Sequence, residues 1–486
     1  MKRKFSLDSQ FGFHRMRAWR QAGRLDARGV RGSRVPTPNG ILAQPWLLRF
    51  LAAGTVATSF LDPLKISSVP YLHNIGSVVG LLLLISFLVL RVRRARFQDA
   101  PGRYLVLFIF MTGAVETVRA LSSGDVNLLF SLRVYFQYFQ VVVLYLIFFD
   151  LARDPRTVRL TGGAFILSTF LMSMGANLRI QWLTRGGEGE RFGMVGLNLN
   201  EQALFYALGI TAIFVWLLAR WPRVRFFDAA LCAVAGSMLI AMVKTASRGG
   251  AVVLVVGLGI ALGIFVRRGK LSAYVSIIPA LMVAIGLVFL GAELLKQRVE
   301  ATVGSGDSGL RIELAKSGSE MFIERPVFGW GAWYSRSLGG FMGRSGSMSA
   351  HNVYFQLLLS FGLFGFLPWI MGVVGTFAVV WHHRKTSWGS ILLTLFLATL
   401  VAGAAANLGH SKIFWVVLAF AGRAEILAGE PVVSRRRARR IRHTTQAMFS
   451  APVRTVDALT EPLQRLSPTN GVNSNRQIQS FRLFTE

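Results

Sequence analysis

Long apolar runs separated by short polar or basic stretches fill the sequence from about residue 41 to residue 429. A helix needs roughly 17 to 25 mostly apolar residues to cross the hydrocarbon core of a bilayer. Twelve runs of that kind occur, near 41–60, 72–90, 104–122, 128–149, 158–176, 197–219, 226–244, 249–266, 271–294, 353–380, 388–406 and 412–429. The pattern predicts an all-α polytopic membrane protein with about twelve transmembrane helices. Most connections are short, but residues 295–352 form a long one between the ninth and tenth runs, with a smaller one near 177–196. Within the long connection Leu310, Leu314, Met321 and Phe322 fall near helical spacing, with Arg311, Glu313, Lys316, Glu320 and Glu324 on other faces. This spacing predicts an amphipathic helix at the outer membrane surface, closed by Glu324-Arg325-Pro326.

Charge orients the spans. If the N-terminus is cytoplasmic, the inward connections are 91–103, 150–157, 220–225, 267–270, 381–387 and the C-terminal tail, and every one of them is basic. That satisfies the positive-inside rule, so both termini are expected in the cytoplasm. The net charge of +31 comes from 54 Lys+Arg against 23 Asp+Glu, and residues 1–40 and 434–486 carry +8 and +7 of it. The expected organisation is a basic N-terminal tail (1–40), a membrane domain (41–433) and a basic, disordered C-terminal tail (434–486). So much arginine also suits nucleic acid, but a basic collar beside a membrane span and its anionic lipids is the commoner arrangement, and no nucleic-acid partner is expected. With 53% hydrophobic and 16% charged residues, an ordinary soluble globule is excluded. The single cysteine, Cys232, excludes an intrachain disulfide and a CxxC metal site. The first 40 residues lack the apolar core of a cleaved signal peptide.

Cations on the outward side run against the charge bias and ask for an anionic partner. Lys244 and Arg248 lie between the seventh and eighth runs, and Arg311 lies in the long connection. Guanidinium groups give bidentate, charge-assisted bonds to phosphate oxygens, so this set suits a diphosphate. Three of the seven histidines, His73, His351 and His410, fall outward. His351 stands where the long connection re-enters the membrane, followed by Asn352, and a neutral imidazole there can take a proton from a hydroxyl. Glu188, Glu190, Asp307 and Glu313 keep a carboxylate base open. Within the spans, Glu116 and Arg119 are three residues apart and read as a structural pair, with Arg133 a further candidate participant.

His351-Asn352, nine residues and then Gly362 (HNVYFQLLLSFG) resemble the His-[Asn/Ser/Gln]-X9-Gly signature of the bacterial O-antigen ligase and O-antigen polymerase superfamily. RFGMVGLNLNEQA at 191–203, KTASRGG at 244–250 and SGLRIELAKSGSEMFIERPVFGWG at 308–331 are similar to that superfamily in the same order. The chain departs from it at Asn198-Leu199-Asn200, where Asn-Pro-Asn is frequent, and in its long basic C-terminal tail. The resemblance implies a GT-C-like membrane glycosyltransferase that uses no metal or other cofactor, with 295–352 as a periplasmic catalytic loop. Its partners would be an undecaprenyl-diphosphate-linked glycan donor, a glycan or lipid A-core acceptor, and the lipids of the bacterial inner membrane. By position Arg248 and Arg311 match arginines that engage the diphosphate and His351 matches the base, with Lys244, Asn200 and Asn352 as substrate-binding neighbours. Ligase, exopolysaccharide or O-antigen polymerase, and protein O-oligosaccharyltransferase remain open. A polytopic transporter or lipid-linked glycan flippase is the alternative from another class.

Overall fold

The computed structural model describes residues 45–59, 75–90, 100–122, 128–178, 184–186, 192–194, 198–220, 226–267, 307–332, 334–343 and 348–428. The ninth apolar run, both basic tails, His73, Glu188 and Glu190 lie outside the described residues. Every other apolar run is helical: α1 (Trp46–Thr58), α2 (Ile75–Leu90), α3 (Ala100–Ser122), α4 (Leu128–Leu151), α5 (Pro155–Asn177), α6 (Leu199–Arg220), α7 (Phe226–Lys244), α8 (Arg248–Val266), α11 (Val353–His382), α12 (Ser387–Ala405) and α13 (Lys412–Ala421). The long connection contributes α9 (Asp307–Glu324) and α10 (Tyr334–Phe341), and the short α14 (Ala424–Ala428) follows α13. Six of these, α5 to α8, α11 and α12, are long and apolar enough to cross a membrane.

Local chemistry sets the helix starts. Asp154 caps α5 by accepting from Arg156 N, with Pro155 at the first helical position, and Thr386 caps α12 by accepting from Gly389 N. Beyond the caps the helices are apolar almost all round, so burial is decided by neighbours and not by an amphipathic stripe. α6 is the most buried of the six, packed between α7, α8 and α12, whereas α2 turns Val78, Leu81, Leu82, Ile85 and Val89 outward at helical spacing. The core is aromatic: Phe108 of α3 and Tyr138 of α4 both stand edge-on to Phe361 of α11.

Three features depart from simple spans. A two-stranded antiparallel pair, β1 (Thr184–Gly186) and β2 (Phe192–Met194), lies in the shorter connection, with Thr184 opposite Met194 and Gly186 opposite Phe192. The last apolar run is interrupted between α13 and α14, where the buried Arg423 donates from Nε to Phe149 O at 3.0 Å and stacks on the Phe149 ring. Arg49, a charge inside the first run, pairs with Asp154 at 2.7 Å; a paired charge is the affordable kind in this setting.

α11, at 30 residues, is broken at Gly362, whose φ of 59° and ψ of −164° are non-helical. The break releases Leu359 O and Ser360 O, and the N–H groups of Leu363 and Phe364, from the helical ladder. Each finds a partner in the segment after α9. Trp330 N donates to Leu359 O and Gly331 N to Ser360 O, both at 2.7 Å, while Leu363 N donates to Pro326 O at 2.8 Å and Phe364 N to Val327 O at 2.9 Å. Irregular backbone within a spanning helix is tolerated only where its polar groups are satisfied, and this seam satisfies them. α9 is thereby held against α11, with Leu314 and Met321 buried beside Leu338 and Leu359.

Candidate functional site

The two motif turns share a backbone peculiarity. Among the described residues, the non-glycine residues at positive φ are Ala246, at 48°, and His351, at 50°. Such conformations cost about 1 to 3 kcal/mol each and collect at functional sites. His351 sits immediately before the cap of α11. Asn352 Oδ1 accepts from Tyr354 N at 3.0 Å and Phe355 N at 3.2 Å, so this oxygen is committed to the cap and only the side-chain nitrogen is left to a ligand. The turn is braced from behind: His351 N donates to Ser349 Oγ, Ala350 N donates to Tyr334 Oη, and Asn407 Nδ2 donates to Ser349 Oγ. Burial raises the Tyr334 phenol above its ordinary range, which keeps it a neutral hydrogen-bonding group.

At the other turn α7 ends on Lys244 and α8 begins on Arg248, with Ser247 as the cap accepting from Gly250 N. Ser247 Oγ donates to Asn200 Oδ1 at 3.0 Å, and Asn198 Oδ1 accepts from Asn200 N at 2.9 Å. The N-termini of α6 and α8 are therefore fastened together, their helix dipoles presenting positive ends side by side. Close approach continues at Gly250, where a Cβ would stand 2.6 Å from Ala203 Cβ. Arg248 occupies the first position of α8 and is half-buried.

The His351 turn opens on a cavity of about 510 Å³. His351 and Asn352 line it with Leu314 and Ala315 of α9 and Ala404 and Ala405 of α12. A Cβ at Gly249 would stand 3.3 Å from Ala405 Cβ, so the start of α8 abuts that wall. Arg311 precedes Leu314 and Ala315 by about one turn of α9; its side chain lies outside the described side chains. Two sequence candidates are engaged elsewhere. Lys244 Nζ donates to Asn177 O at 3.3 Å, placing its charge on the last carbonyls of α5, and Asn200 Oδ1 takes the Ser247 hydroxyl.

Residues 233–370 match the family model described as O-antigen ligase. This segment is similar to the O-antigen ligase family. It contains Arg248, Arg311, His351 and Gly362, and the match together with the six apolar helices supports a multi-pass membrane protein with a general O-antigen ligase-like character. Comparison with curated proteins finds no match.

The matched segment is supported by residues beyond it, Asn407, which the sequence did not single out, and His410, which it read only as an outward histidine. In the connection from α12 to α13, Asn407 braces the His351 turn, and His410 lies 4.2 Å from the Tyr138 ring and 3.5 Å from Gln356 Nε2. Burial lowers the His410 pKa from 6.5 to about 4, so the ring is neutral at pH 7. An unfolded chain binds a proton at this position between those values and the folded chain does not. Stability from His410 is therefore present above pH 6.5 and is lost as pH falls toward 4. Thermal unfolding in detergent is expected to shift downward across that window, and His410→Gln is expected to flatten the dependence.

Proposed function

We propose that the chain is an O-antigen ligase-like glycosyltransferase that moves glycan from undecaprenyl diphosphate onto a sugar hydroxyl at the periplasmic face of the inner membrane. In this reading it has about twelve spans in a GT-C-like arrangement, both termini cytoplasmic, and it uses no metal ion. The observation that carries it is the cavity lined by His351 and by α9, which bears Arg311, with the start of α8, which bears Arg248, packed against its Ala405 wall.

His351 takes the proton of the acceptor hydroxyl as that oxygen attacks the anomeric carbon. The bond from carbon to diphosphate breaks with inversion, and negative charge develops on the leaving group. Arg248 and Arg311 stabilise it with guanidinium N–H donors, and the paired N-termini of α6 and α8 add a positive field. Leu314, Ala315, Ala404 and Ala405 supply an apolar wall beside the base, suited to the lipid end of the donor. Asn352 offers its side-chain nitrogen to a sugar oxygen, whereas Lys244 and Asn200 shape the Arg248 turn.

The test is purified protein in vesicles with an undecaprenyl-diphosphate glycan and a sugar acceptor. A new glycosidic bond is expected, and a chelator of divalent ions leaves the rate unchanged. Arg248→Lys and Arg311→Lys are each expected to lower kcat by about 100-fold to 1,000-fold, because charge is kept but the bidentate fork is lost. Movement of glycan across the vesicle with no new bond would replace this reading by a flippase. In cells, loss of the protein is expected to leave glycan accumulating on undecaprenyl diphosphate, and the glycoconjugate that vanishes identifies the acceptor.

A further inference from the structure

Glu116 and Arg119 have no part in the chemistry described above, yet they lie on α3, a membrane helix, where ionisable groups are costly and mark function by default. They are one turn apart near its end, and Glu116 is only 3% exposed. Both reach into the segment between α9 and α10. The seam with α11 satisfies Pro326 O, Val327 O, Trp330 N and Gly331 N, and leaves Phe328 O, Gly329 O and Ala332 N without a partner in α11. Those three groups are the ones that α3 takes. Arg119 Nη2 donates to Gly329 O and, at 3.4 Å, to Phe328 O, while Glu116 Oε1 accepts from Ala332 N at 2.8 Å. Arg325 stacks over the Trp330 ring, and Trp330 Nε1 donates to Met321 O at 2.7 Å, which ties the same segment back to α9.

We infer that Glu116 and Arg119 are positioning residues: together they clamp residues 328–332 and so set the placement of Arg311 relative to His351. The inference rests on the proposed glycosyl transfer. The geometry supports it because the clamped segment is the junction between the two halves of the site. On one side it continues α9, which carries Arg311. On the other it leads into α10, whose Tyr334 Oη and Ser335 O hold Ala350 N and Met348 N beside His351. A carboxylate and a guanidinium are the right instruments, since one accepts from an N–H and the other donates to adjacent carbonyls in fixed geometry. Gly331 has φ of 88°, and a Cβ there would meet Arg119 Nη1 directly and lie 3.1 Å from Glu116 Oε1. The segment is therefore shaped to admit these two side chains.

The test compares Glu116→Ala, Arg119→Ala, Glu116→Gln and Gly331→Ala in the vesicle assay, with kcat and donor KM measured separately and the pH-rate profile recorded. Glu116→Ala and Arg119→Ala are expected to lower kcat about 100-fold, the scale of an ångström-sized misplacement, with KM within about threefold of wild type. Glu116→Gln keeps an oxygen for Ala332 N and is expected to retain kcat within about threefold, and no variant moves the pH inflection. Gly331→Ala attacks the clamp from the other side with both side chains present and is expected to reproduce the kcat loss. Wild-type kcat in the alanine variants overturns the inference. So does a Glu116→Gln loss as deep as that of Glu116→Ala, or a moved inflection, since either makes the carboxylate a proton carrier. Should the α3 alanine variants fail to accumulate in membranes, wild-type kcat in Gly331→Ala overturns it instead. Wild type and His351→Ala run in parallel separate the two readings: transfer by the wild type with fully active clamp variants sinks the clamp alone, whereas no new glycosidic bond from the wild type sinks the proposed function.

Discussion

His351→Ala is expected to lower the rate of glycan transfer by about 100-fold to 10,000-fold, the range for loss of a general base, while membrane abundance and thermal unfolding stay near wild type. The separation of the two effects follows from where the residue sits. Its side chain is exposed at the cavity and belongs to no core cluster. The cap of α11 is made by Asn352 and the turn is braced through backbone groups, so truncation at 351 leaves both intact. His351→Asn is the sharper control. Asparagine tolerates the left-handed backbone and keeps a hydrogen-bonding group, but it cannot accept a proton near neutral pH. Equal inactivity of the two variants supports proton transfer. Near-complete activity of the asparagine variant would reduce His351 to a hydrogen-bonding role, and full activity of both would remove the base from the mechanism.

Much of the fold was legible because bilayer physics makes length and apolarity almost sufficient. The described apolar runs are helices, and caps such as Ser247, Asn352 and Thr386 stand at their starts as local rules anticipate. What the chain order hides is partnership across distance. Lys244 read as an outward cation awaiting a ligand, and its Nζ donates to Asn177 O, which helix packing brings to it. Asn200 read as a substrate contact and is taken by Ser247. Glu116 and Arg119 were legible as a helical pair, and nothing local revealed that the pair serves a segment more than two hundred positions later. Gly422-Arg423 lay inside an apolar run because a buried arginine is tolerated only once Phe149 is known to face it. The strand pair escaped for a plainer reason, since strands of three residues carry too little pattern to stand out.

Gly362 was legible as a motif position, and the structure supplies its physics. A Cβ there would collide with Val327 O and stand 2.5 Å from Val327 C and 2.6 Å from Gly329 N, all of them backbone atoms with no rotamer to yield. Gly329 answers it from the other side, at φ 63°, where a Cβ would stand 2.5 Å from Gly362 N and 2.6 Å from Leu359 O. The two glycines let two backbones touch, and the four seam hydrogen bonds depend on that approach. Gly362→Ala is expected to cost about 1 to 3 kcal/mol for a backbone conformation reserved almost wholly for glycine, with a similar amount for overpacking. Transfer activity should fall by at least about 100-fold as α9 shifts relative to His351. Hydrogen exchange gives the local readout: the amides of Trp330, Gly331, Leu363 and Phe364 are expected to lose protection together, ahead of the rest of α11. Gly263→Ala in α8, where an added Cβ meets nothing within 4 Å, is the matched control and is expected to be neutral or stabilising by up to about 1 kcal/mol. If Gly362→Ala unfolds, exchanges and turns over like wild type, then the seam is not what joins α9 to the His351 helix, and the shared cavity needs another explanation.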